Sequence, residues 1–154
     1  MCKKCWIVVS LLLLIIAGGA YKFLIQGAVE QSSDGRMAIK LNEAERNLVL
    51  EEMRGFLAST QQIVAAANKK DIKQIIKSAR AVGKAAQAAV PGSLMGKLPM
   101  EFKKLGFDTH TKFDLLAMNV EELEDEGQAM TQLAELLQNC VACHASYRID
   151  LESK

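Results

Sequence analysis

Residues 140–144 read Cys-Val-Ala-Cys-His, and this is the segment whose residue types and spacing best suit chemistry. If the segment is helical, Cys140 and Cys143 lie on one face, where each can form a thioether with a vinyl group of a haem. The imidazole of His144, which follows directly, is a common haem-iron ligand. The spacing therefore predicts one haem c, with its iron, bound covalently to each chain.

Other chemistries for the two cysteines fit the sequence less well. A structural zinc site needs four ligands, and the other histidine, His110, is distant in the sequence. A redox-active Cys-x-x-Cys pair normally lies next to a strand of a βαβ unit, whereas a helical pattern surrounds Cys140 and Cys143. A disulfide between these two cysteines would strain a helix, since they are so close in sequence. Zinc, a dithiol and a disulfide are the alternatives to haem attachment.

The composition indicates what kind of fold presents this motif. The chain has 154 residues, of which 50% are hydrophobic, with 2 prolines and with 19 basic against 18 acidic residues. These values favour one compact domain that is all-α, and they give no reason to expect a sheet. The near-neutral charge and the aromatic content of only 5% argue against a surface that binds nucleic acid.

The N-terminal residues predict a membrane segment. Residues 6–25 are apolar apart from Lys22, and a helix of this length spans the hydrocarbon core of a bilayer. Lys3 and Lys4 precede it, so the positive-inside rule places the domain on the periplasmic side of a bacterial cytoplasmic (inner) membrane. The small residues 17–20 also suit a signal peptidase, and cleavage there would leave a soluble periplasmic domain. We expect the uncleaved anchor.

The remaining sequence divides into a polar linker and a helical domain. We assign residues 1–25 to the anchor or signal peptide, 26–40 to the linker and 41–154 to the domain. Apolar spacing and cap residues predict helices over 41–67, from the N-cap Asp71 to about 86, from Asp108 or Thr109 to about 120, and from about 128 to 149. A crossover joins the two halves, so these elements suit an antiparallel four-helix bundle.

Residues 140–148, Cys-Val-Ala-Cys-His-Ala-Ser-Tyr-Arg, resemble the terminal C-x-A-C-H-x-x-[YF]-R pattern of the cytochrome c′ family, the class II c-type cytochromes. Over the rest of 41–154 the resemblance is limited to helix length, helix order and apolar spacing. It implies a bundle around one haem, with His144 as the proximal iron ligand and Arg148 near the proximal side or a haem propionate. A solvated arginine that suits the helix dipole is the other interpretation of Arg148. The resemblance also leaves open a homodimer through the first two helices.

The sixth iron position, opposite His144, decides what such a haem protein does. In the resembling family, the first helix supplies a methionine there or blocks the position with an apolar side chain. Met53 and Leu50 are about one helical turn apart and compete for this position, and we expect Met53 to be the ligand. His110 has polar neighbours, which predict a place on the surface. The residues expected to form the core beside the haem are Phe56, Leu57, Phe113 and Leu116.

The function expected from these features is single-electron transfer by a membrane-tethered, periplasmic, monohaem cytochrome. The sequence shows no Ser-His-Asp arrangement and no glycine-rich phosphate loop, so we do not expect an enzyme. The alternative is a protein with an open iron that binds nitric oxide or carbon monoxide. Residues 69–104 carry nine basic and two acidic side chains, whereas 108–154 carry three basic and ten acidic. This asymmetry could orient a redox partner protein, or it could reflect solvated helix faces.

Overall fold

The fold is mostly helical, as the composition predicts. The structure, a computed structural model, describes the backbone of residues 3–153 and their side chains except those of residues 3–5 and 89. The α-helices are α1 (Lys3–Ala20), α2 (Glu43–Ala67), α3 (Ile72–Arg80), α4 (Gly92–Lys97), α5 (Met100–Leu123) and α6 (Glu126–Ser146). A π-helical stretch (Tyr21–Gln26) continues α1, and a 3-10 helix (Lys84–Ala89) precedes α4. The strands are β1 (Val29–Gln31), β2 (Met37–Leu41) and β3 (Tyr147–Leu151).

The apolar N-terminal residues form a helix that could cross a membrane. This helix covers Trp6–Gln26, has a mean hydropathy of 2.2 and buries none of its residues against the domain. Its length, composition and position near the N-terminus suit either a membrane anchor or a signal sequence. The side chains of Lys3 and Lys4, on which the predicted orientation depends, lie outside the described part of the chain.

A three-stranded sheet follows this helix and corrects two sequence predictions. We expected no sheet and a polar linker over 26–40, whereas β1 and most of β2 occupy that stretch. β1 pairs antiparallel with β2, and β2 pairs parallel with β3. The pairing is stable because Ile39 and Leu41 of β2 are completely buried against the helices. Strands of three to five residues are too short to stand out from the surrounding pattern.

The apolar helix is fixed directly to the domain. The backbone N–H of Ala28 donates to the carbonyl oxygen of Lys97 at 2.7 Å. Gly27 has a φ of +69°, and a Cβ at this position would collide with the backbone of Lys97 and Leu98. The buried Lys103 donates from Nζ to the carbonyl oxygen of Leu24 at 3.1 Å. The end of the apolar helix therefore docks on α4 and α5 instead of leading into a flexible tether.

Two apolar clusters hold the domain together. The larger cluster lies between α2, α3, α5 and α6; these helices pack in this order, and α6 returns to α2. The smaller cluster lies between the sheet, α2, α4 and the start of α5. Completely buried side chains of the larger cluster are Ile63, Ile75, Phe113 and Leu116, and those of the smaller cluster are Ile39 and Leu41.

The starts of α2 and α3 follow the cap residues of the sequence. Asn42 precedes α2 and forms a capping box with Glu45, in which each side chain accepts the other residue's backbone N–H. Asp71 caps α3 as predicted, because its carboxylate accepts from the backbone N–H of Gln74 at 3.0 Å. However, α3 ends at Arg80, before the predicted boundary at about residue 86.

Two helix boundaries differ from the sequence predictions. Helix α5 begins at Met100, directly after Pro99, so neither Asp108 nor Thr109 is a cap. The Thr109 hydroxyl instead donates to the carbonyl oxygen of Leu105 within the helix. Helix α6 ends at Ser146 instead of 149, because the chain then becomes extended and joins the sheet as β3.

Candidate functional site

Helix α6 presents the Cys-Val-Ala-Cys-His segment in its last two turns. Leu133 and Leu136 are buried in the larger cluster and hold the helix against its neighbours. One residue before Cys140, the buried Asn139 donates to Asp108 at 2.8 Å and accepts from Lys112 at 3.2 Å. Hydrogen bonds from Lys112 and Asn139 outweigh burial and lower the pKa of the Asp108 carboxyl. This charged network fixes α6 on α5 immediately beside the first cysteine.

The two thiols of this segment are free. Cys140 and Cys143 are both half-buried and form no disulfide. Burial raises the pKa of the Cys140 thiol, and burial together with the neighbouring Cys140 raises the pKa of Cys143 to about 11. Both sulfurs therefore remain protonated near neutral pH, unlike the low-pKa thiolate of a redox-active pair.

His144 is exposed at the end of α6. Within the described part of the chain, its imidazole makes no hydrogen bond or ion pair, so both ring nitrogens are accessible. Its backbone carbonyl accepts from Arg36 Nη1 at 3.3 Å, and the helix closes with the N–H of Tyr147 bonded to the carbonyl of Cys143. The backbone around the imidazole is thus held while the ring itself is exposed.

Arg148 lies on β3, and this placement corrects the prediction that the last helix continues to residue 149. The helix ends before Arg148 because the neighbouring Ile149 packs into the smaller cluster as part of the sheet. Arg148 Nε donates to Asp150 at 2.9 Å, and its Nη1 lies 3.3 Å from an Asp34 carboxylate oxygen. The Arg148 guanidinium therefore already contacts two carboxylates.

Arg36 is a site residue that the sequence analysis missed. Its Nη2 lies 2.6 Å from Asp34, and its Nη1 contacts the carbonyl oxygens of His144 and Tyr147. Hydrogen bonds from Arg36 hold the pKa of the Asp34 carboxyl well below its usual range. No sequence signal indicated this role, because residue 36 fell in the predicted linker and reaches the motif only through β2–β3 pairing.

The candidates for the sixth iron position lie on α2, next to α6. Met53 is half-buried and packs against both apolar clusters, the smaller of which also contacts Cys143. Leu50 is half-buried, and Leu57, predicted to be core, is 70% exposed. Leu57 is exposed because it lies one residue beyond Phe56, which faces the core. The other predicted core residues Phe56, Phe113 and Leu116 are buried.

His110 is buried, and the prediction of a surface position was wrong. Only 3% of its surface is exposed, because it lies three residues before Phe113 on the inward face of α5. Its Nδ1 donates to the carbonyl oxygen of Val82 at 2.7 Å, and its Nε2 lies 3.1 Å from Glu52 Oε1. The ring packs against Phe56 with centroids 4.8 Å apart. Both ring nitrogens are therefore engaged inside the protein.

In the described part of the chain, no group of three or more His, Cys, Asp and Glu side chains is arranged to hold a metal ion. Haem attachment needs no such cluster, because the porphyrin supplies four of the iron's ligands. The free thiols and the exposed imidazole of α6 are the side chains that a haem c requires.

No protein-family model, curated protein or solved structure matches this chain. The resemblance to cytochromes c′ therefore depends on residues 140–148 and on the order of the helices.

Proposed function

We propose that this chain is a membrane-anchored c-type cytochrome whose domain lies in the periplasm and transfers single electrons. Cys140 and Cys143 would hold one haem through two thioethers, and His144 would bind its iron. The observation that carries the proposal is the last part of α6, where two free thiols one turn apart adjoin an exposed imidazole that makes no hydrogen bond to the described residues. When bound, the haem supplies a metal that gains and loses one electron.

Uncovered apolar side chains near the motif support this proposal. Val141, between the two cysteines, is 70% exposed, and so is Leu57 on the neighbouring helix α2. Leu50 and Met53 lie on the same helical stripe as Leu57, since their spacing is three and four residues. Exposed apolar side chains on two packed helices are an unfavourable surface in water. An apolar macrocycle attached to α6 and lying against α2 would cover the exposed Val141 and Leu57.

The packing order α2, α3, α5 and α6 supports a cytochrome c′-like four-helix bundle, in which α3 is the short member. In that arrangement α2 is the first bundle helix and carries the sixth-position candidates. We propose Met53 as the sixth ligand, because a thioether sulfur binds haem iron. Met53 and Cys143 also pack against the same smaller apolar cluster. The Arg148 guanidinium and the Arg36 guanidinium are the nearby cations that would meet a propionate.

One observation favours the gas-binding alternative. Met53 packs against both apolar clusters, so it already has the environment of an ordinary core methionine. If it stays there, Leu50 would border an open iron that binds nitric oxide or carbon monoxide. Electron transfer and gas binding therefore differ in whether the Met53 side chain binds the iron or stays in the core.

The charges available to a redox partner are fewer than the sequence count suggests. Arg80 and Lys104 pair with carboxylates of α5, and Lys97 pairs with Glu45 at 2.7 Å. Four cations of the basic segment are exposed and form no ion pair with the described residues. They are Lys69, Lys73, Lys77 and Lys84. They lie on and around α3, which is where we propose that an acidic redox partner docks.

Haem attachment is tested by removing both thiols of the motif. The Cys140→Ala, Cys143→Ala double variant should lose the covalent haem that gives peroxidase staining in a denaturing gel. The matched control removes the same number of thiols elsewhere: Cys2→Ala, Cys5→Ala should stain like the unaltered chain. Staining of the Cys140, Cys143 variant, or no staining of the unaltered chain made with a haem-attachment system, would refute the proposal.

A further inference from the structure

A cavity of about 720 Å³ lies between α2, α4, α5 and the 3-10 helix. Pockets that bind small organic molecules span roughly 300–1,000 Å³, so this cavity is large enough for one. Cys140, Cys143, His144 and Met53, the residues proposed to bind the haem, do not line it. Its apolar wall includes Val49, Phe56, Leu94, Leu98 and Phe102.

Two glycines inside helices leave this cavity open. Gly55 of α2 and Gly106 of α5 both line it. A Cβ at Gly106 would meet no atom within 4 Å, and a Cβ at Gly55 would meet only Val82 Cγ1, at 3.8 Å. Glycine inside a helix is less stable than alanine, and no close contact requires glycine at either position. The space they leave is therefore available to a ligand.

Polar groups in the wall could bind oxygen atoms of a ligand. Glu52 Oε1 is held by His110, whereas Oε2 makes no hydrogen bond to the described residues and can accept one from a hydroxyl. The amide nitrogen of Gln87 is buried and has no hydrogen-bond partner among the described residues. A buried donor without an acceptor is destabilising, and a ligand carbonyl reached by rotation of the amide would satisfy it.

The cavity adjoins the end of the apolar N-terminal helix. Lys103 lines the cavity and donates both to the carbonyl oxygen of Leu24 and to that of Met95, at 3.1 and 3.2 Å. On the neighbouring α4, a Cβ at Gly96 would lie 3.8 Å from the ring of Phe23. With the apolar helix in the membrane, as proposed above, a molecule dissolved in the bilayer would meet the cavity where the chain leaves the membrane.

We propose that this cavity binds a membrane quinone or quinol, an apolar ring compound whose oxygens meet Glu52 and Gln87. The apolar wall contacts the ring and the start of its tail. In the quinol, one hydroxyl donates to the Glu52 carboxylate and the other hydroxyl oxygen accepts from the Gln87 amide, whereas the quinone keeps only the second contact, through a carbonyl. The proposal concerns binding alone and does not depend on haem attachment. The apolar wall explains affinity for the ring, and the two polar side chains explain preference for oxygen-bearing rings over plain hydrocarbons.

The test is isothermal titration calorimetry on the full chain in lipid nanodiscs that contain no quinone. The titrants are decylubiquinone and decylubiquinol. Empty nanodiscs measure partition into lipid. Gly55→Leu and Gly106→Leu each fill the cavity from a different helix, and Ala58→Leu adds the same side chain at an exposed position of α2. Glu52→Gln removes the acceptor carboxylate, and the exposed Glu122→Gln is its matched control. Circular dichroism checks that each variant is folded.

The unaltered chain, Ala58→Leu and Glu122→Gln should bind one equivalent of either probe saturably. Gly55→Leu and Gly106→Leu should weaken both probes about tenfold or more, and Glu52→Gln should weaken the quinol more than the quinone. Heats equal to those of empty nanodiscs would overturn the proposal, as would folded glycine variants that bind like the unaltered chain. Equal affinity for decylbenzene, which has no oxygens, would also overturn it, because the cavity would then accept any hydrocarbon.

Discussion

His110 on α5 lies 3.1 Å from Glu52 on α2, with Nε2 facing Oε1, while Nδ1 donates to the carbonyl oxygen of Val82. Burial of the ring opposes its protonation, but the hydrogen bonds to Glu52 and Val82 and the charge of Glu52 outweigh it. The pKa of His110 is therefore raised above its usual value of 6.5. The folded state holds the imidazolium more tightly than the unfolded chain does.

This raised pKa makes stability depend on pH. The stabilisation is fully present below the unfolded pKa of about 6.5 and is lost as the pH rises through the folded pKa. We expect the unfolding temperature of the full chain in detergent to fall as the pH is raised above about 6.5. His110→Gln, which cannot titrate, should reduce the dependence of the unfolding temperature on pH. An equal slope in both proteins would contradict the assignment.

Met53→Leu separates iron ligation from core packing. Leucine has nearly the same volume as methionine. A packing role therefore predicts that the free energy of unfolding falls by less than about 1.5 kcal/mol and that the haem spectrum is unchanged. Ligation, which we expect, predicts conversion from low-spin to high-spin iron, a lower reduction potential and carbon monoxide binding to the reduced form. Met130→Leu, on the exposed side of α6, is the control and should leave the spectrum as it is. An unchanged Met53→Leu spectrum would favour Leu50 and gas binding.

Gly27→Ala should destabilise the docking of the apolar helix. With φ +69° and ψ −165°, Gly27 has a backbone conformation that is essentially restricted to glycine, and the added Cβ would collide with the backbone of Lys97 and Leu98. Gly35 has a φ of +86° with no atom within 4 Å of a Cβ, so Gly35→Ala carries the strain without the collision. Urea unfolding should show a clearly larger decrease in the free energy of unfolding for Gly27→Ala than for Gly35→Ala. Equal losses would mean that the close contact is unimportant.

Asn42→Ala should remove the capping box of α2. Loss of an N-cap side chain costs about 1 kcal/mol, because the backbone N–H of Glu45 loses its acceptor. Asn47→Ala, on the exposed side of the same helix, should be neutral or slightly stabilising, since alanine is the better helix former. Thermal unfolding of the two variants measures the difference. A cap variant as stable as Asn47→Ala would contradict the observed hydrogen bonds.

The N-terminal helix should remain in the mature protein. Its end is bonded to Lys103 and followed by Gly27 and Ala28 in close contact with α4, which favours an anchor integrated with the fold. We expect the protein to stay in membranes washed at alkaline pH. Release by the wash, or a mature N-terminus directly after Gly19 or Ala20, would show that the segment is a signal peptide.

Local patterns in the sequence were sufficient to predict much of the helical structure. The predicted first helix and the Asp71 cap are found, because their determinants lie within a few residues of each other. The cysteines and His144 of the motif lie on one helix end for the same reason. Arg148 was misplaced because its strand depends on Met37–Leu41, about 110 residues earlier in the chain.

The position of His110 shows a second limit of sequence reasoning. Polar neighbours suggested exposure, yet Thr109 is itself buried and satisfies its hydroxyl on the preceding turn of α5. The partners of His110, Val82 and Glu52, come from a turn after α3 and from α2. Polar residues can be buried when distant parts of the chain supply their hydrogen bonds, and no local pattern reveals such partners.

The parallel pairing of β2 with β3 also sets the order in which the protein can be completed during synthesis. β1 and β2 emerge early, but the second edge of β2 has no partner until residue 151 has been translated. Until then the nascent domain exposes an open strand edge and the apolar residues of the smaller cluster. The segment 140–144 emerges just before the strand that closes the sheet, so a haem-attachment enzyme would meet it on a chain whose tertiary structure is still incomplete.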